Sequence, residues 1–113
     1  MQNNTILRSA MAGMYLAPGS RVLNNLVEDA CLFVEDCGNV DAWSMDGQGT
    51  EIAYNVFINN HARWGGAIHL DAGSLNFRLH DNFAEGMAWN GVNITNINDI
   101  ENSTFVGIGD AQL

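Results

Sequence analysis

Five times along the chain an aliphatic residue is followed three places later by Asn or Ser: Ile6/Ser9, Val22/Asn25, Ile52/Asn55, Leu79/Asn82 and Ile100/Ser103. Two places beyond each polar residue stands an apolar one: Met11, Val27, Phe57, Ala84 and Phe105. The pattern returns at intervals of 16, 30, 27 and 21 residues, which marks a stack of similar units. Such a stack fixes the architecture and says little about a substrate.

Fifteen asparagines and twelve glycines against one proline suit tight positive-φ turns and disfavour helices. Between the turns lie Met14-Tyr15-Leu16, Leu32-Phe33-Val34, Ile68-His69-Leu70 and Val92-Asn93-Ile94. Each is apolar, variable, apolar, as in a strand with one buried face. A second, gapless match joins residues 14–20 to residues 68–74. Units of about 20 to 30 residues with several short strands predict an all-β parallel β-helix. The expected architecture is a single solenoid domain over 1–113, of about five short coils, with no clear cap at the start or over 106–113.

Coils stacked about 4.8 Å apart would place equivalent asparagines above one another, so that each amide donates to one neighbour and accepts from the other. Ser9 and Ser103 would end this ladder. The inner columns would be Ile6/Val22/Ile52/Leu79/Ile100, Met11/Val27/Phe57/Ala84/Phe105, and Met14/Leu32/Ile68/Val92 with Leu16/Val34/Leu70/Ile94 beside it. The extra length of the longer coils falls in 38–49 and 61–65. Cys31 and Cys37 flank Leu32-Phe33-Val34, and an extended rise of about 3.3 Å per residue would hold them too far apart to bond. Two free, buried thiols are expected.

Thirteen acids stand against four arginines and no lysine, a net charge of −9. That balance repels phosphate backbones and anionic membranes, so no nucleic-acid partner is expected. It also opposes an unaided grip on polyuronates. No apolar run of about 18 residues offers a membrane span. The short apolar stretch near the start is studded with Gly and Ser and reads as repeat structure, not as a signal peptide.

Thr50-Glu51-Ile52-Ala53-Tyr54-Asn55, Gly66-Ala67-Ile68-His69-Leu70-Asp71-Ala72-Gly73-Ser74 and Leu79-His80-Asp81-Asn82 resemble the right-handed parallel β-helix repeats of the pectate-lyase-like superfamily. Ile100-Glu101-Asn102-Ser103-Thr104-Phe105 fits the same pattern. The resemblance implies a carbohydrate-active protein of the bacterial secreted type, extracellular or at the cell surface, acting as a polysaccharide hydrolase or lyase. Members of that superfamily run to more coils and carry an N-terminal cap, so the chain looks like a section of a longer enzyme. The basic residues of lyase sites and the acid clusters of polygalacturonase-like hydrolases have no recognisable match. The alternative is a non-catalytic structural or self-assembling module, associating through open coil ends.

Strand alternation turns Tyr15, Phe33, His69 and Asn93 outward on one sheet. Asp71, His69 and Asp46 are the candidate catalytic residues, because carboxylates and imidazole can move protons at a glycosidic oxygen. Trp64, Arg63, Trp43, His61 and Glu35 are the candidate substrate contacts, indole faces being able to stack on sugar rings. Each also has a plainer role. Asp71 and Asp46 precede turn residues, His69 is a strand residue, and Trp64 covers a coil edge. No spaced motif calls for a metal, and no cofactor is required. Glu35, Asp36 and Asp71 supply only oxygens, which Ca2+ could accept.

Overall fold

The corner that carries the repeated asparagine is built alike each time it occurs. A residue in the left-handed region comes first: Asn3, Asn24, Tyr54, Asp81 or Asn102, with φ between 47 and 58°. Asn and Asp tolerate that conformation best among residues with a Cβ. The next residue is Asn4, Asn25, Asn55, Asn82 or Ser103, and a strand starts directly after it. The computed structural model describes residues 1–107, all β and turn, with no helix among them.

The chain runs through three parallel sheets in a constant cyclic order. The first passage is β1 (Thr5–Leu7), β2 (Met14–Tyr15) and β3 (Arg21–Leu23). The second is β4 (Leu26–Ala30), β5 (Val40–Trp43) and β6 (Asp46–Ala53). The third is β7 (Val56–Asn60), β8 (Gly66–Asp71) and β9 (Leu75–His80). Then come β10 (Phe83–Met87), β11 (Asn90–Ile94), β12 (Asp99–Glu101) and finally β13 (Thr104–Val106). The sheets are β1-β4-β7-β10-β13, β2-β5-β8-β11 and β3-β6-β9-β12, with every pairing parallel. This is a parallel β-solenoid.

Register defines the core. Ile6, Val27, Phe57, Ala84 and Phe105 align in the first sheet. Met14, Val40, Ile68 and Val92 align in the second, and Val22, Ile52, Leu79 and Ile100 in the third. Val22, Val27, Val40, Ile52, Phe57, Ile68 and Leu79 are fully buried. Burying each aliphatic or aromatic side chain stabilises the stack by roughly 1.5–3 kcal/mol.

The ladder exists, with its first rung corrected. Asn4, not Ser9, stands above Asn25: its backbone N–H and its Nδ2 both donate to Asn25 Oδ1, at 3.0 and 2.9 Å. Ile6 accordingly belongs beside Val27 rather than Val22, and Met11 is half-exposed instead of a core residue. Ser9 Oγ donates locally to the Ala12 carbonyl. At the other end Ser103 Oγ accepts from the Asn82 N–H at 3.3 Å, as the spacing predicts.

The second sheet brings another correction. Its strand in the second passage is Val40–Trp43, not Leu32-Phe33-Val34. Residues 32–36 form a surface loop, and Phe33 is exposed on it. With no strand there, the chain doubles back. Cys31 and Cys37 come to 6.2 Å between Cα atoms and are joined as a disulfide, so the expectation of two free thiols fails. The predicted lack of a C-terminal cap falls mainly on 108–113, outside the described residues.

Candidate functional site

On the outward face of the second sheet the register stacks Tyr15, Asp41, His69 and Asn93. One step along, Trp43 of β5 sits beside Asp71 of β8. An outward strand residue is ordinarily solvated, yet His69 is only 3% exposed. The disulfide-closed turn accounts for this. Beside it Gly38 packs on the base of His69, where an added Cβ would lie 2.7 Å from His69 Cβ and 2.9 Å from its backbone nitrogen. A side chain at 38 would push the loop away, which is why glycine is needed.

The same loop carries Asp36 to the ring. His69 Nε2 lies 3.6 Å from Asp36 Oδ1 and 3.9 Å from Asp71 Oδ2, and Nδ1 lies 3.7 Å from Asp41 Oδ2. These spacings are too long for hydrogen bonds. Nδ1 has no hydrogen-bond partner among the described residues. Asp41 is itself held by the Gly38 N–H, 3.1 Å from its Oδ2. Burial opposes charge on the imidazole. Asp41, Asp36 and Asp71 together outweigh burial and leave the pKa of His69 above its ordinary value.

The four residues line a cleft of about 240 Å3 with Tyr15, Trp43, Met11, Val34 and Cys37. Trp43 and Tyr15 are 72% and 58% exposed. Of the residues singled out in the sequence, His69, Asp71 and Trp43 therefore meet in one place.

The others lie elsewhere. Asp46 accepts hydrogen bonds from Asn76 Nδ2 and from the Gln48 N–H, both at 2.9 Å, and these, Asn76 first, lower its pKa. It lines a larger recess of about 470 Å3 with Phe77, Arg78, Ile97 and Asp99. That recess is bigger, but it holds no buried titratable group, and the smaller cleft is the better chemical candidate. His61 pairs with Asp29 at 2.8 Å and, ahead of Asn59, holds the Asp29 carboxyl below its ordinary range. Arg63 stacks on the ring of Trp64 at 4.8 Å, so the two serve each other. The Trp64 N–H donates to the carbonyl of Glu35 at 2.8 Å, and the Glu35 side chain is exposed.

Asp36, whose oxygens Ca2+ could accept, and Asp41 complete the cluster; neither is among the candidate catalytic or substrate-contact residues read from the sequence. Asp41 looks like one of several acids in an expanded loop until β5 is placed. Asp36 reaches His69 only because the cysteines bond. The pairing of two cysteines six apart was the available signal, and it was masked by the apolar run between them.

No family model matches the chain, and no curated protein or solved structure matches it. Among the described residues no helix is long and apolar enough to cross a membrane.

Proposed function

We propose that the chain is a carbohydrate-active β-helix of the right-handed, pectate-lyase-like kind, binding an extracellular polysaccharide across the outward face of its second sheet. The observation that carries this reading is the exposed pair Tyr15 and Trp43 bordering a cleft that holds Asp36, Asp41, His69 and Asp71. Aromatic faces stack on sugar rings, and a carboxylate beside an imidazole can move protons at a glycosidic oxygen. Asp71, on the rim, is the residue for attack on the sugar, with His69 as its proton partner and Trp43 as the platform. Three carboxylates make the cleft anionic and favour a neutral glycan over a polyuronate.

The test is a panel of neutral and acidic polysaccharides, scored for binding by tryptophan fluorescence and for cleavage by release of reducing or unsaturated ends. Trp43→Ala should weaken binding, and Asp71→Asn should abolish turnover with binding retained. An Asp71→Asn variant with unchanged turnover would sink the catalytic assignment.

A second reading is a non-catalytic module that associates through its coil ends. It is favoured by the edge strands β1, β2, β11, β12 and β13, which pair on one side only among the described residues. Leu7, Ile100 and Val106 on these edges are exposed. Such edges pair readily with further strands, from a second copy or from more of the same solenoid. Light scattering at micromolar concentration tests it: a dimer or longer stack supports association, and a monomer counts against it.

A further inference from the structure

The structure assigns a divalent-cation site to Asp36, His69 and Asp71, with Asp41 as the group that orients the histidine. One donor atom from each of the three lies within 4.8 Å of the others. The imidazole between them is buried, and its Nε2 faces the two carboxylates at 3.6 and 3.9 Å without a hydrogen bond to either. A buried ring that makes no such bond costs stability, and native proteins rarely leave one so.

The spacings suit one shared ion better than direct bonds. Ligand atoms about 2.0–2.1 Å from a tetrahedral ion lie about 3.4 Å from each other. Nε2 already stands 3.6 Å from Asp36 Oδ1 and 3.9 Å from Asp71 Oδ2, so a small inward turn of the two partly exposed carboxylates completes the set. Asp41 faces the opposite ring nitrogen, Nδ1, at 3.7 Å and is fixed by the Gly38 N–H. A carboxylate on that side of a ligating histidine electrostatically favours the proton on Nδ1 and so leaves the Nε2 lone pair to the ion. The three acids around the ring also supply the negative charge that a dication neutralises.

One imidazole and two carboxylates select a first-row cation of borderline hardness such as Zn2+. Ca2+ prefers six to eight oxygens and is poorly served here. The open side of the cleft leaves room for water on the ion. The inference does not depend on the glycan reading and changes one part of it, since an Nε2 that binds a metal carries no proton to transfer.

Calorimetric titration of the oxidised full chain with ZnCl2, without any glycan, tests the site. One ion should bind per chain. Asp36→Asn, on an exposed loop where the fold does not need the carboxylate, and His69→Gln should each weaken binding at least about tenfold, and Asp41→Asn by about 10–100-fold. His61→Gln, at the separate pair with Asp29, should leave it unchanged. Absence of Zn2+ binding by the wild type would overturn the assignment. So would full affinity in Asp36→Asn, a folded His69→Gln that binds as the wild type does, or Ca2+ binding as tightly as Zn2+.

Discussion

Asn25 donates both its backbone N–H and its side-chain Nδ2 to the Oδ1 of Asn55, each at 2.9 Å. Asn55 repeats the arrangement toward Asn82, at 3.1 and 3.0 Å, and sends its other Nδ2 hydrogen back to the Val22 carbonyl at 2.9 Å. One buried amide thus satisfies groups from three successive corners. Removing it strands donors and acceptors that water cannot reach. Asn55→Ala should cost about 3 kcal/mol in denaturant unfolding. A loss well under 1 kcal/mol would mean that the ladder is only weakly coupled to stability.

Phe57 fills the middle of the first-sheet column and is fully buried between Val27 and Ala84. Small neighbours on one side leave little to collapse into the space it vacates. Phe57→Ala is expected to cost roughly 3 to 5 kcal/mol, measured as a fall in the urea midpoint at constant slope.

The Cys31–Cys37 bond closes a short loop and seats Asp36 over His69. Closing so short a loop restricts the unfolded chain by about 2 kcal/mol. A Cys31→Ser/Cys37→Ser variant should unfold at lower temperature by a corresponding amount, and reductant should destabilise the wild type and not the variant. Equal thermal stability of the oxidised and reduced wild type would contradict this.

His80 donates from Nδ1 to Asp81 Oδ2 at 2.9 Å and from Nε2 to Glu51 Oε1 at 3.0 Å, with the ring of Tyr54 edge-on at 5.4 Å. Asp81 and then Glu51 raise its pKa above the ordinary 6.5, against desolvation and the opposing charge of Arg78. The folded state therefore holds this proton more tightly than the unfolded chain. Its contribution is complete below the unfolded pKa and disappears as pH rises through the folded value. Stability should fall as pH climbs from 6.5 upward, and His80→Gln should flatten part of that slope. A slope unchanged by the substitution would remove His80 from the account.

The parts legible in the sequence share a physical cause. Val22 and Val27, Ile52 and Phe57, Leu79 and Ala84, and Ile100 and Phe105 are each five residues apart. One left-handed residue and one ladder residue turn that corner, so nothing can be added without breaking the hydrogen bonds. The corner between the first and second sheets varies in length instead. Val27 to Val40 spans thirteen residues while Ala84 to Val92 spans eight, and the apolar Leu32-Phe33-Val34 fell where a strand would have been if the spacing were fixed. The first rung was readable too. Asn3-Asn4-Thr5-Ile6 parallels Asn24-Asn25-Leu26-Val27 and marks Asn4, whereas the three-residue spacing of Ile6 and Ser9 points to the wrong residue. His69, Asp71 and Trp43 were legible from alternation, whereas the burial of His69 depends on a loop whose course follows from the disulfide.

The corner of constant length has a consequence for how such a protein can change. It works as the spine of a bound volume, holding every page in order from one side. The leaves can then differ in width at their free margins. Loops between the first and second sheets can differ in length while each strand keeps its partner, so new surface can be introduced there.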